Sequence, residues 1–514
     1  MEKIKEESRH AAALKNSAAS MVFNIIQVIL TFAYRTIFIR YFSVNYLGIN
    51  GLFSNILSLL SLSELGITTP IIYRLYKPVA EKDFENAGKL MFFYRRVYRC
   101  IFGMIMGLGI GICPFIRYFM KDPSQIPGDV NLYAVYLLFL IQTASTYLFA
   151  YKQSLLTADK KQYISTCFNI VFTIVRYTVQ MVLAAKTHNY VWILLAGIVI
   201  NIFSNISVSL YTAKKYREIF AENCNIDKEI KRQIYEDSGK TLMHRVGYKI
   251  LTATDNIVIS KTDGIIQTGM YSNYTMITSY LSAFIAEFLG SYSGIIGNMI
   301  AQDHKEHVYD IFKRLNFLSL WINATATVIL FSYFNIFMEL WIGREYCFGN
   351  FTVILLCIYF FLTNLRLIPN IFIGVSPLFT KDVLRPFIQA VINLMLSIVL
   401  SLQIGIDGVI TGSIVCVTVT VFWREPYLLY RYFFGRDAKE YWFQVLLFVL
   451  PSFIAIICLK RFLQYFIIIN LAQMVAAVLC TFLFIQILFV IIMHKRPEYQ
   501  YYKTCICSLV MKSK

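Results

Sequence analysis

The chain has 514 residues, of which 57% are hydrophobic and 15% charged. Soluble domains carry about a quarter charged residues, and here apolar segments run from Asn16 to Met493 with no polar stretch long enough to fold alone, so the composition is that of a polytopic membrane protein. Forty-eight Lys and Arg against 30 Asp and Glu leave a formal charge of +18, which would point to nucleic acid in a soluble protein but reports loop orientation first in a membrane protein.

Met1 to Lys15 is too charged for a signal-peptide leader and precedes no small-residue cleavage site, so the first span is expected to stay as an anchor. With a window of about 20 apolar residues, spans are expected at 18–40, 48–73, 97–116, 131–155, 163–185, 190–213, 241–260, 265–289, 315–337, 351–373, 385–404, 408–430, 441–460 and 465–493, about fourteen in all. The eleven Cys are scattered singly, mostly inside these spans, and imply no disulfide framework; Cys505 and Cys507 in the basic tail read as reduced thiols.

A cytoplasmic N-terminus places the linkers 74–96, 156–162, 214–240, 301–314, 374–384 and 431–440, and the C-terminal tail, on the inner side. These hold most of the Lys and Arg, including Arg95, Arg96, Arg99 and Lys228, Lys231, Arg232. The positive-inside rule then puts both termini in the cytoplasm and absorbs most of the net charge, leaving no case for nucleic acid. Trp192, Trp341 and Trp442 fall at span ends, as an aromatic belt requires. Every outer linker is short, and the longest, Arg117 to Val130, reads as a loop through Pro123, Pro127 and Gly128. A membrane polymerase or glycosyltransferase needs catalytic groups in a substantial external loop; none is available, so the chain does not read as an enzyme. The longest inner linker, 214–240, separates an N-terminal six-helix lobe, 1–213, from a C-terminal one, 241–430, and 431–514 adds two spans and a tail.

Polar side chains in lipid are costly and face a cavity or a partner. On span one Asn24, Gln27, Thr31, Tyr34 and Arg35 share a helix face, and on span two Asn50, Ser54, Ser58, Ser61, Glu64 and Thr68 do so. Span seven carries Arg245, Lys249, Thr252 and Asn256 on one stripe and His244, Tyr248 and Asp255 beside it. Span eight adds Tyr271, Tyr274, Thr275, Thr278 and Ser282. Small polar residues also serve as interhelical glue, and Arg35, Asp255 and Arg245 lie near span ends where they can snorkel or pair; Glu64 and Lys249 lie deeper. Arg176, Arg366 and Glu287 stand apart from the stripes and read as structural ion-pair candidates. Asp303, His304 and His307 have metal-like spacing but sit in a charged segment and read as a solvated face, so no metal site is assigned.

Stripes on spans one, two, seven and eight occupy equivalent places in two six-helix halves. A parallel repeat agrees: Ile37-Phe38-Ile39 with Gly48 matches Ile257-Val258-Ile259 with Gly269, and Glu64-Leu65-Gly66 matches Glu287-Phe288-Leu289-Gly290; transporters place substrate sites between such repeats. Gly103, Gly107 and Gly111 form a doubled G-x-x-x-G that lets another helix pack closely on span three, and Pro70, Pro114, Pro369 and Pro451 are candidate hinges.

R-x-x-F-I from Arg35, Leu47-Gly48, Gly51-Leu52-Phe53, L-S-L-S-E-L-G over Leu60 to Gly66 and Leu75-Tyr76-Lys77-Pro78 resemble the first two spans of bacterial polysaccharide flippases. Thr254-Asp255-Asn256-Ile257-Val258-Ile259-Ser260, Gly269-Met270-Tyr271-Ser272-Asn273-Tyr274 and Gly297-Asn298 are similar to the same family, the Wzx-like flippases of the multidrug/oligosaccharidyl-lipid/polysaccharide exporter superfamily. The resemblance implies an all-α polytopic protein of two pseudo-symmetric six-helix, MATE-like bundles plus two C-terminal helices. It implies alternating-access transport of an undecaprenyl-diphosphate-linked oligosaccharide across the bacterial inner membrane, with the polysaccharide polymerase and export machinery as partners. A cavity holding Asn24, Gln27, Arg35, Glu64, Arg245, Lys249, Asp255 and Tyr271 suits a diphosphate and sugar hydroxyls. No P-loop or other cofactor motif is present, and the superfamily resemblance implies drive by a proton or sodium gradient, with Glu64 and Asp255 as the acids to test. The two last spans are implied to line a groove for the lipid tail. The alternatives are a MATE-type ion-coupled small-molecule exporter, which calls for an acid-dominated cavity, and the membrane polymerase or glycosyltransferase.

Overall fold

Backbone N–H and C=O groups in a bilayer must be satisfied within the protein, and the apolar segments accordingly fold as helices, with no strand among the described residues. The structure, a computed structural model, describes residues 2–61, 66–221, 225–376, 378, 385–465 and 468–512. Twelve helical stretches among them are long and apolar enough to cross a membrane, and they coincide with twelve of the expected spans; the chain is an all-α, multi-pass membrane protein. The second and seventh expected spans differ. The second is a 17-residue apolar helix, Val44–Leu60, and the seventh falls on a polar helix that breaks at Thr254. These are two of the segments that carry the polar stripes, which is why neither is a continuous apolar span.

The chain divides into two compact units, residues 1–272 with 386–390, and 273–385 with 391–514. In the first, α1 (Glu2–Tyr41), α2 (Val44–Leu60), α3 (Thr68–Glu81), α4 (Phe84–Ile112), α5 (Leu132–Ala150), α6 (Gln153–Ala158), α7 (Gln162–Thr187), α8 (Tyr190–Lys215), α9 (Arg217–Ala221), α10 (Lys228–Ala253) and α11 (Asp255–Thr262) follow one another, and α12 (Ile265–Gly290) begins there. Asx side chains start three of these helices by accepting otherwise orphaned amides: Asp83 from Asn86 N at 3.0 Å, Asn131 from Ala134 N at 3.1 Å and Asn189 from Val191 N at 3.0 Å. The amide and side chain of Asn86 hold the Asp83 carboxyl below the usual carboxylate range. Lys82 and His188, both with positive φ, end α3 and α7 in the left-handed conformation. Phe38, Phe53, Tyr94, Tyr136 and Tyr190 fill the core.

The glycine motif of α4 is corrected by the structure. A Cβ at Gly103, Gly107 or Gly111 meets no described atom within 4 Å, whereas Gly109 packs on Leu140, 2.3 Å from where its Cβ would stand. The stripe of 103, 107 and 111 is exposed, and α5 lies on the opposite side of α4, so plain packing falls to Gly109. Pro70, Pro114 and Pro369 lie at helix starts or breaks, but Pro451 sits inside an unbroken helix.

The second unit holds the rest of α12, then α13 (Ser293–Gln302), α14 (Lys305–Ile342), α15 (Asn350–Leu365), α16 (Leu367–Gly374), α17 (Arg385–Ile404), α18 (Ile406–Val417), α19 (Arg424–Leu428), α20 (Lys439–Leu463), α21 (Leu471–Met493) and α22 (Pro497–Lys512). Lipid tails are as apolar as Leu, so close packing and interhelical hydrogen bonds hold such helices together. The long helix α14 supplies them: Trp321 Nε1 donates to Gln486 Oε1 of α21 at 2.6 Å, and Tyr333 bonds Thr481 of the same helix at 2.6 Å. Asn316 Nδ2 donates to Gln444 Oε1 of α20 at 3.0 Å, and Gln444 Nε2 to Glu498 Oε1 of α22 at 3.0 Å. The two additional helices and the tail are thereby built into this unit.

Arg366, expected as a structural ion-pair candidate, makes a two-pronged pair with Glu425 through Nε at 2.9 Å and Nη2 at 2.6 Å. Arg385 closes on the same carboxylate, which is fully buried. Glu425 lies in α19 between two wide π-helical turns, Thr418–Phe422 and Leu429–Phe434. Pro426 has no N–H for the α-helical ladder, which favours the looser winding there. Two guanidiniums on one buried carboxylate offset the cost of its desolvation.

Candidate functional site

The stripes resolve into two kinds of contact. Part of each stripe ties helices together. Thr31 Oγ1 and Tyr177 OH are 3.0 Å apart, the rings of Tyr34 and Tyr177 lie 5.4 Å apart, and Arg176 stacks on Tyr177 at 4.8 Å, so this part of the α1 face packs on α7. Asn50 accepts a hydrogen bond from Tyr190 of α8, and Thr68 bonds Tyr98 at 2.9 Å. In the second unit Tyr274 OH donates to Asn335 Oδ1 at 2.6 Å and accepts from Phe348 N at 3.0 Å, while Ser282 accepts from Asn364 at 2.9 Å. These residues act as glue.

Two of the remaining stripe residues, Arg35 and Asp255, meet α12. Arg35 of α1 donates through Nη2 to Ser272 Oγ, and Ser272 in turn donates to Gly269 O at 2.8 Å. One residue earlier on the same helix, Tyr271 OH donates to Asp255 Oδ2 at 3.2 Å. Asp255 opens α11 just past the break, and its second oxygen is buried with no hydrogen-bond partner among the described residues. Tyr271 is buried, and Arg35, Asp255 and Lys249 are half-buried. A cation and an acid on separate helices are thus held by consecutive residues of a third. Such an arrangement can meet an anionic group with Arg35 and accept a proton or small cation at Asp255.

Three close backbone approaches position these helices. A Cβ at Gly48 would stand 2.0 Å from Ile265 O, one at Gly269 2.4 Å from Val44 O, and one at Gly66 2.5 Å from Ser238 O. Only glycine lets α2 meet α12, and the chain entering α3 meet α10, at these distances. The loop between α4 and α5 then closes the end of the assembly: Lys121 N donates to Ser260 O at 3.0 Å, Ile265 N to Gln125 Oε1 at 3.2 Å, and Tyr46 OH to Asp129 Oδ1 at 2.6 Å. Gly264, at φ 102°, makes the turn into α12 against Gln125.

Asn24 is exposed and Gln27 half-buried, roughly 16 Å and 12 Å along the α1 axis from Arg35 at 1.5 Å per residue. Glu64 lies outside the described residues, as does the side chain of Arg245, whose backbone is part of α10. His307 Nε2 lies 3.7 Å from Asp303 on an exposed turn. The sequence did not single out Ser272 as the partner of Arg35, although it stands in the motif beginning at Gly269, nor Glu425 as the shared partner of Arg366 and Arg385.

No family model and no curated protein sequence matches the chain. Its structure is similar to that of the lipid II flippase MurJ in an inward closed conformation, with a TM-score of 0.66 and 14% identity, covering 92% of this chain and 98% of that one. An inward-facing multidrug resistance MATE family transporter of the MOP superfamily matches with a TM-score of 0.60 and 12% identity over 79% of this chain and 97% of its own. A point mutant of the Vibrio cholerae MATE transporter VcmN matches with a TM-score of 0.53 and 9% identity over 82% and 96%. The chain therefore has the polytopic helical fold that the MurJ flippase and the MATE transporters share.

Proposed function

We propose that this protein moves a lipid-linked oligosaccharide, carried on undecaprenyl diphosphate, across the bacterial inner membrane by alternating access. Both termini are cytoplasmic in this reading. The repeat halves 1–213 and 241–430 are the moving lobes, 214–240 links them, and 431–514 serves the lipid tail. The observation that carries the reading is the Arg35–Ser272 contact beside Asp255–Tyr271, which puts a guanidinium next to sugar-compatible hydroxyls. The extent of the MurJ likeness supports it too, since it covers 92% of the chain against 79% for the MATE transporter. Arg35, Lys249 and Arg245 meet the diphosphate; Asn24, Gln27 and Tyr271 meet hydroxyls; Glu64 and Asp255 carry coupling to a proton or sodium gradient. The polymerase and export machinery receive the flipped product.

The test is reconstituted flipping of undecaprenyl-diphosphate-linked oligosaccharide by the parent, Arg35→Gln and Lys249→Gln, with membrane abundance measured in parallel. Flipping should fall about tenfold or more in each, the loss of about 1.4 kcal/mol of differential binding. Parent-level flipping at parent-level abundance refutes the assignment. A second reading, an ion-coupled small-molecule exporter, is favoured by the Asp255 oxygen that has no hydrogen-bond partner among the described residues; transport of cationic dyes with no flipping would support it instead.

A further inference from the structure

We propose that Arg176 of α7 is a second guanidinium of the substrate site and, together with Arg35, selects a lipid-linked diphosphate over a monophosphate. This deepens the function proposed above and rests on it.

Arg176 stands deep in the span Gln162–Thr187, roughly 21 Å from one end of the helix and 16 Å from the other at 1.5 Å per residue. An arginine at that depth cannot snorkel to the interface, so it needs a counter-charge or a polar cavity. The sequence reads it as a structural ion-pair candidate, but it has no acid partner among the described residues, and its Nε is buried with no hydrogen-bond partner among them. Tyr177, on which it stacks at 4.8 Å, offers a ring face but no charge. That ring is fixed in place: Tyr177 OH lies 3.0 Å from Thr31 Oγ1, and the ring centroid 5.4 Å from that of Tyr34. These contacts set the Arg176 level of α7 against the Tyr34–Arg35 turn of α1. The charges of both arginines bear on the Tyr34 hydroxyl, and no acid is among the groups that do so. Arg35 and Arg176 are each half-buried, so neither side chain is sealed in the core. One guanidinium matches one phosphate through a fork of two hydrogen bonds. With Arg35 on the first phosphate, the second phosphate of a diphosphate supplies the counter-charge for Arg176; a monophosphate leaves it unmet.

The experiment is native mass spectrometry of the purified full chain titrated separately with undecaprenyl monophosphate and undecaprenyl diphosphate. The parent should retain the diphosphate about tenfold better. In Arg176→Met that preference should disappear while monophosphate retention stays at the parent level, and Arg176→Lys, which keeps the charge, should retain part of it. Without carrier the parent holds a guanidinium in lipid with no counter-charge among the described residues, so Arg176→Met should fold and unfold at or above the parent temperature. An unchanged preference in Arg176→Met overturns the proposal and leaves the proposed function standing. A lowered unfolding temperature with both carriers weakened alike also overturns it, because that is the mark of a structural role. Equal retention of the two carriers by the parent removes this inference alone, whereas a parent that retains neither removes the proposed function with it.

Discussion

Gly48 and Gly269, 221 positions apart in the chain, meet backbone to backbone: a Cβ on Gly269 would stand 3.1 Å from Gly48 N and 2.4 Å from Val44 O. The same two glycines close the parallel motifs that the sequence repeat pairs. Their contact sets how closely α2 approaches α12, and so where Tyr271 and Ser272 stand relative to α1 and α11.

Gly48→Val and Gly269→Val should each lower stability by about 1–3 kcal/mol or more, because backbone atoms rather than flexible side-chain ends block the added methyl groups. Gly103→Ala, with no described atom within 4 Å of the new methyl, should be neutral. Thermal unfolding in detergent and membrane abundance measure both; equal behaviour of the Gly48 and Gly103 variants contradicts the contact.

Glu425→Gln should be severely destabilising, by about 3–5 kcal/mol, because it leaves two guanidiniums without their buried counter-charge. Arg366→Gln should cost less, since Arg385 still pairs with the carboxylate. The order of the unfolding temperatures, parent above Arg366→Gln above Glu425→Gln, is the check, and a reversed order removes Glu425 from the centre of the cluster.

Topology follows from the distribution of Lys and Arg. In a cysteine-free background, a Cys at the exposed position Asp129 should react with an impermeant thiol reagent added outside, and one at the exposed position Asp227 should not. The reverse labelling pattern inverts the proposed orientation.

Coupling is tested on the two acids separately. In liposomes with an imposed pH or sodium gradient, the variant of the coupling acid, Glu64→Gln or Asp255→Asn, should lose acceleration by the gradient while keeping downhill exchange. Tyr271→Phe removes a hydrogen bond from Asp255 and should alter the gradient response only if Asp255 is that acid. Unchanged acceleration in both acid variants excludes both.

The helices were legible because a bilayer admits little else: composition and span length alone place Gln162–Thr187 and Tyr190–Lys215 within a few residues. The site was legible only in part. Periodicity put Thr31, Tyr34 and Arg35 on one face, but the same polarity serves helix association and ligand contact. It could not tell that Thr31 and Tyr34 pack on α7 while Arg35 reaches Ser272.

By itself the sequence determined that this is an all-α, multi-pass membrane protein, through apolar length, and it marked the residues whose polarity is out of place in lipid. Tertiary structure decided what each of those residues does. Arg366 is paired with a Glu 59 positions away, Gly109 rather than Gly103 takes the helix contact, and Arg35 and Asp255 end beside consecutive residues of α12. The reason is physical: transfer from water to lipid is fixed by a residue's own chemistry, whereas the partner of a buried polar group depends on which helices pack together, and that is a property of the whole chain.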